Sequence, residues 1–278
     1  SGGARYGGCQ INQCGNRVGA ELMNKILHGF LAMTFVVGLG AFFPSASGAA
    51  PKPSGTLTVS AAASLTDVFP VIADAFEKRY PDTEIKLNFA GSSTLMNQVN
   101  AGAPVDVIAT ASKSIMQIGI DSELVTRPLR FTKNFLTIAV PLGNPANISK
   151  ISDLQRDGLL LGVCDTAVPC GSAAVELFTK NTLDVTAVTR ELDVRSVLAK
   201  VISGDLDAGI VYVTDVKSAE NRVEFVQIPF RDNVVATYHI SMVADTREQQ
   251  LAQRFVNFVR FSTTSQGIMR AYGFAKPW

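Results

Sequence analysis

Two hydroxyl-bearing junctions carry the chemistry that this chain offers. The first, Ala61-Ala62-Ala63-Ser64-Leu65-Thr66-Asp67, follows the β-type run Thr56 to Ser60 and precedes a helical pattern at Val68, Phe69, Ile72, Ala73 and Phe76. Ser64 reads there as an N-cap, and Asp67 three residues on completes a variant capping box in which Asp replaces Glu or Gln. The second, Phe89-Ala90-Gly91-Ser92-Ser93-Thr94-Leu95, joins the strand-like Glu84 to Phe89 to a helical Leu95-Met96-Asn97-Gln98-Val99. A strand that hands over to a helix presents a hydroxyl, unpaired backbone N–H groups and the positive end of a helix dipole, a set suited to a small anion. One such junction is an ordinary cap. Two of them after successive strands would put donors together at the carboxyl edge of an open α/β sheet, where ligands bind.

The elements that must position these junctions follow from periodicity. Strands are expected near 56–60, 84–89, 105–109, 135–140, 159–163, 208–212, 223–228 and 236–243. Helices are expected near 67–80, 93–101, 113–119, 171–180, 194–203, 247–261 and 265–271. Alternation at this spacing predicts parallel α/β sheets. Pro70 falls within two turns of Ser64, where a proline tightens a helix start without refuting it.

A chain of 278 residues can bury a sizeable core. With 25 basic and 24 acidic residues and a net charge of +1, it has no electrostatic footprint for nucleic acid or for an anionic membrane. Lys25 precedes the apolar run from Ile26 to Phe43, and small residues from Pro44 to Ala50 follow it. That is the order of a secretory signal peptide, with cleavage expected near Gly48 to Ala50; an uncleaved anchor is the rival reading. Met23-Asn24-Lys25 reads as the natural start of such a peptide, which makes residues 1–22 an upstream segment whose Cys9 and Cys14 are no metal pair. No Cys stands at a lipoprotein cleavage position, so a soluble periplasmic protein is expected.

Cys164 and Cys170 lie in the mature part, where an oxidising compartment would let them form a disulfide across a loop. The chain's two histidines, His28 and His239, are near neither of them, so neither a zinc site nor a Cys-His nucleophile is expected.

Seven motifs then occur in a recognisable order: AAASL (61–65), FAGSSTL (89–95), AGAPVDVIATAS (101–112), VPCGSAA (168–174), LDVRSVLAKV (192–201), DAGIVYVTD (207–215) and YGFAKP (272–277). As a set, covering roughly residues 56–277, they resemble the periplasmic molybdate-binding proteins that feed ABC transporters. The resemblance implies an α/β, two-lobed periplasmic binding protein fold of type II. Each lobe would be a mostly parallel sheet flanked by helices, with the ligand in the cleft. Its expected division is a signal peptide at 23–50, a linker at 51–55, lobe 1 at 56–135 and 237–278, and lobe 2 at 136–236. The crossovers would fall near Phe131 to Phe135 and Val235 to Tyr238.

Matched motif to motif, the family's ligand contacts fall on Ser64, Ser92, Cys170, Val194 and Tyr212. The two serines would donate through hydroxyl and backbone N–H, Cys170 and Val194 through the main chain alone, and Tyr212 through its phenol. Cys170 departs from the Ala that many relatives carry; paired with Cys164, it would pin the loop that supplies its N–H. Asp193 and Arg195 are read as a helix-start carboxylate and a solvated cation. Asp106 is expected to satisfy nearby backbone donors, Asp165 and Asp207 to be loop carboxylates, and Arg127 and Arg130 to be surface charges.

Molybdate is a tetrahedral dianion with four acceptor oxygens and no proton at neutral pH, so a site for it should offer donors and no carboxylate. The resemblance implies extracytoplasmic binding of molybdate, and of tungstate, with delivery to the membrane permease of an ABC transporter and its cytoplasmic ATPase. Molybdenum would enter as the oxyanion, with no protein ligand on the metal. No catalytic residue, cofactor or nucleic-acid partner is expected, and the protein should be a monomer whose binding stays flat between about pH 6 and 9. Other readings are a binder of another oxyanion such as sulfate or phosphate, and a ligand sensor without transport. A hydrolase acting through Ser64 or Ser92 would lack a G-x-S-x-G elbow, and its His239 lies in a strand-like segment.

Overall fold

The computed structural model describes residues 53–278. The signal peptide and upstream segment read from the sequence, with the first two residues of the linker, lie outside the described residues.

The chain opens with β1 (Gly55–Ala62), in which Leu57, Val59 and Ala61 alternate into the core. A 3-10 turn (Ala63–Leu65) leads to α1 (Val68–Arg79), which buries Val68, Phe69, Ile72, Ala73 and Phe76 along one face. That face meets aromatic partners edge-on, Phe69 against Phe131 at 5.9 Å and Phe76 against Phe255 at 5.2 Å between ring centroids. Next come β2 (Thr83–Ala90), α2 (Ser92–Asn100), β3 (Val107–Thr110) and α3 (Lys113–Asp121). Strands β2, β1 and β3 pair in parallel, in that order.

The strand β4 (Leu129–Pro141) is longer than periodicity suggests, because its first part carries the polar Arg130, Thr132, Lys133 and Asn134. Thr132 and Asn134 are nevertheless buried, and Thr132 donates to the Ala275 carbonyl at 2.9 Å. Tertiary partners keep these polar residues in a strand. A second 3-10 turn (Ile151–Gln155) precedes β5 (Leu161–Cys164) and α4 (Pro169–Lys180). Then come β6 (Thr189–Glu191), α5 (Val194–Ser203), β7 (Ala208–Tyr212), α6 (Val213–Ser218) and β8 (Val223–Val226). The chain closes with β9 (Val235–Met242), α7 (Gln249–Phe261) and α8 (Thr263–Ala271). Periodicity misses β6, which has three residues, and α6, which follows β7 with no turn residue between them.

The sheet runs β2-β1-β3-β9-β4-β7-β5-β6, with β8 also on β4. Strand β4 changes partner along its length. It pairs antiparallel with β9 over Leu129–Phe135, then with β7 over Leu136–Ala139 and with β8 over Ile138–Pro141. Two half-sheets thus share one strand: β2, β1, β3 and β9 on one part of it, and β8, β7, β5 and β6 on the other, with β7, β5 and β6 mutually parallel.

Candidate functional site

The carboxyl ends of the six parallel strands converge on one small cavity. From the first half-sheet it is lined by Ala62, Ala63 and Ser64 after β1, Gly91 and Ser92 after β2, and Ala111 after β3. From the second come Val168, Pro169 and Cys170 after β5, Asp193 and Val194 after β6, and Tyr212 at the end of β7. All five residues expected to contact a ligand therefore line the same cavity, which accommodates the centre of a water-sized sphere over only about 20 Å³. That is room for one small ion and far below the 300 Å³ or more typical of sites for organic ligands.

Ser64 lies in the 3-10 turn and not at the N-cap of α1, so the expected capping box does not form. The N-cap position is Asp67, whose side chain makes no capping bond and goes instead to Nη2 of Arg195. A full guanidinium charge outcompetes helix N–H groups for that carboxylate. The Ser64 hydroxyl is within 2.7 Å of the Tyr238 phenol.

Ser92 is the first residue of α2 after Gly91, and its Oγ accepts from the Ala111 N–H at 3.0 Å. Cys170 is the second residue of α4, behind Pro169, and forms a disulfide with Cys164 that ties the end of β5 to the start of α4. Val194 opens α5, a helix fixed by its N-cap Asp193 and by Gly204 at φ +81°, and it buries Val194, Val197, Leu198 and Val201. As leading residues of their helices, Ser92, Cys170 and Val194 have N–H groups that the helices leave unpaired.

Asp193 is the sole carboxylate in the lining. Its oxygens accept from Arg195 N, Ser196 N and Ser196 Oγ at 2.8, 3.0 and 2.9 Å, so α5 already occupies them. Tyr212 is 1 % exposed, and its Oη has no hydrogen-bond partner among the described residues. Burial, with smaller contributions from Tyr238 and Asp215, pushes its phenol well above the ordinary value, so it remains a neutral O–H donor. No Lys, Arg or His lines the cavity.

The two halves also touch outside the cavity. Ser93 Oγ donates to the Ala167 carbonyl at 2.5 Å, and a Cβ on Gly91 would come within 2.3 Å of the Leu192 carbonyl oxygen. Arg195 is not the solvated cation expected: it lies between Asp67 and the fully buried Asp215, because α5 aims it back across the interface. Sequence reading also missed Asp215, Asn134 and Tyr238; the last two bond to side chains 80 or more residues away in the chain. Asp106 accepts from Thr58 N at 2.8 Å and Thr246 Oγ1 at 2.5 Å, as expected of a structural carboxylate. Asp165 and Asp207 bond to nearby backbone N–H groups, and Arg127 and Arg130 are exposed.

Residues 57–275 match the family model of bacterial extracellular solute-binding proteins. The chain belongs to that family. This solute-binding protein is 36 % identical over 254 residues to the molybdate-binding protein ModA of Mycobacterium tuberculosis, an alignment covering 90 % of this chain and 97 % of the relative. Its fold matches the periplasmic molybdate-binding protein of Azotobacter vinelandii, with a TM-score of 0.71 and 16 % identity over 80 % of this chain and all of that one. It equally matches the sulfate-binding protein SubI of M. tuberculosis, with a TM-score of 0.73 and 18 % identity over 80 % of this chain and 86 % of that one. The fold is thus a mixed α/β periplasmic binding protein architecture, and at these identities the backbone alone does not separate the two anions. Among the described residues no helix is long and apolar enough to cross a membrane, and no cluster of His, Cys, Asp or Glu could hold a metal ion.

Proposed function

We propose that this solute-binding protein captures molybdate, and tungstate by the same geometry, and delivers it to the permease of an ABC transporter. The observation that supports this is the lining of the cavity. It combines hydroxyls and helix-start N–H groups, no cation, and one carboxylate already consumed by a helix cap. Such a set favours an oxyanion with no proton to give. The 36 % identical relative bears the name of a molybdate-binding protein, which favours molybdate over sulfate.

In this reading, residues 56–135 with 237–278 form one lobe, 136–236 the other, and Ser64 and Ser92 face Cys170, Val194 and Tyr212 across the cleft. The anion then stabilises the closed form because it bridges donors from both lobes. No covalent step is involved. The signal peptide at 23–50 would place a monomeric binding protein in the periplasm, where the permease with its ATPase receives the anion.

The test is isothermal titration of residues 51–278 with molybdate, tungstate, sulfate and phosphate. One-to-one binding of the first two alone is the expected result. Preferential binding of sulfate or phosphate would keep the fold and overturn the ligand, and absence of heat with all four would reject oxyanion binding.

A further inference from the structure

Behind Ser64 lies a buried chain of polar groups outside the cavity lining. Asn134 Oδ1 is 3.0 Å from the N–H of Phe135, a group that can only donate, so the orientation of the Asn134 amide is fixed. Its Nδ2 accordingly faces Thr214 Oγ1 at 2.7 Å and Tyr238 Oη at 3.4 Å. With a donor directed at it, the Tyr238 phenol is left to donate its own proton, and the acceptor within reach is Ser64 Oγ at 2.7 Å. Ser64 Oγ then accepts from Tyr238, and its own hydroxyl hydrogen is the donor left for the cavity.

We infer that Asn134 and Tyr238 are positioning residues which fix the direction of the Ser64 hydroxyl, so that Ser64 turns its hydrogen toward the bound anion. The inference rests on the proposed oxyanion site and adds a source of its selectivity. A protonated anion needs an acceptor in its cavity, and a Ser64 hydroxyl whose hydrogen is held toward the anion meets a protonated oxygen hydrogen against hydrogen. Ser92 is arranged in the same sense, since its oxygen already accepts from the Ala111 N–H at 3.0 Å. The remaining hydroxyl, Tyr212, is a phenol, a better donor and a poorer acceptor than an alcohol. The relay is dry as well as directed: Asn134 is 1 % and Tyr238 0 % exposed, so bulk water does not compete for these bonds.

The experiment is a double-mutant cycle read by titration with molybdate and with inorganic phosphate at pH 8, where both are dianions and only phosphate carries a proton. Tyr238→Phe keeps the ring and removes the relay. With Ser64 present it should weaken molybdate by about tenfold and narrow the preference over phosphate by a similar factor. On a Ser64→Ala background the same change should cost less than about twofold, because the residue acts only through Ser64. Asn134→Asp provides a second route. Its carboxylate would accept the hydrogen bond of the Tyr238 phenol, turn the Ser64 hydrogen away from the cavity toward the phenol oxygen and reproduce both effects. A full loss that persists on the Ser64→Ala background, or no loss with Ser64 intact, overturns the inference. Wild-type protein that ignores molybdate would instead remove the binding reading on which it rests, so the two failures are distinguishable.

Discussion

Nε of Arg195 lies 3.0 Å from Oδ1 of Asp215, a carboxylate with no exposure to solvent. The Nε hydrogen does not lie along that line, since neither atom has a hydrogen-bond partner, so the contact is one of charge. The same guanidinium reaches Asp67 just ahead of α1, and Arg195 therefore joins the start of α5 to both half-sheets. Arg195→Met keeps much of the side chain's bulk but strands the Asp215 charge. Breaking a buried pair in this way should cost on the order of 3 kcal/mol, as measured by urea unfolding at pH 7.

Asp215 also sets a pH dependence. Burial raises its carboxyl from 3.8 to about 6, against the opposing pull of Arg195 and of the Tyr212 N–H, while Asp67 and Asp193 add to the rise. The folded state thus holds a proton that the unfolded chain has released. The stability this group contributes is full below about pH 4 and is lost as pH rises through about 6. Melting curves recorded from pH 4 to 7 should show that decline in the wild type and lack it in Asp215→Asn. An unchanged slope in the variant would assign the decline to other groups. Anion binding should then be flat from about pH 7 to 9, a narrower window than the sequence suggests, because Asp215 titrates at its acid edge.

Removing the Tyr212 hydroxyl should separate function from stability. A buried, unpartnered O–H carries a desolvation cost of about 1–3 kcal/mol, so Tyr212→Phe should melt no lower than the wild type. Its molybdate affinity should fall by about tenfold or more, since a charge-assisted bond of about 1.5–3 kcal/mol is lost. A large drop in melting temperature with unchanged affinity would make Tyr212 a core residue only.

Gly91 permits the close approach of the two halves. Its φ of −59° suits any residue, so Gly91→Ala meets no intrinsic backbone strain. The added Cβ would instead meet the Leu192 carbonyl oxygen at 2.3 Å, a contact that can be relieved only by moving α2 away from the segment between β6 and α5. Molybdate affinity should drop by about tenfold with the melting temperature nearly unchanged, and small-angle scattering with ligand should report a wider particle. Wild-type affinity in this variant would show that the approach at Gly91 is not needed for binding.

The disulfide between Cys164 and Cys170 closes a short loop. Chain entropy for a loop of this length is worth about 2 kcal/mol, the loss expected for the Cys164→Ala, Cys170→Ala pair in urea unfolding. Affinity should change only a few-fold, because the N–H at position 170 survives the substitution. A loss of affinity above about a hundredfold would show that the bridge positions the donor as well as bracing the fold.

What the sequence made legible and what it hid divide along the range of the interactions involved. Helix α5 is readable to the residue because Asp193, the Val194-Val197-Leu198-Val201 stripe and Gly204 are all local signals. The five residues expected to meet a ligand come together in one cavity because each follows a strand end, a local signal within the motifs that carry the resemblance. Arg195 is not legible as a buried ion-pair partner, because Asp67 is 128 residues away. Ser64 has the local signature of a cap, but its partner, Tyr238, comes from a strand 174 residues later. The first part of β4 does not read as a strand, because its polar residues are satisfied by Ala275, Thr214 and Tyr238, and composition does not reveal such bonds.

Two of the donors in the proposed site, the N–H groups of Cys170 and Val194, belong to the main chain. A main-chain donor survives every substitution except proline, so neither donor depends on the side chain beside it, whereas the Cys170 disulfide and the buried Val194 side chain hold the helix starts in place. What selection must preserve there is the residue at which α4 and α5 begin. A one-residue insertion ahead of either helix would erase a donor that no point change of side chain at that position could remove.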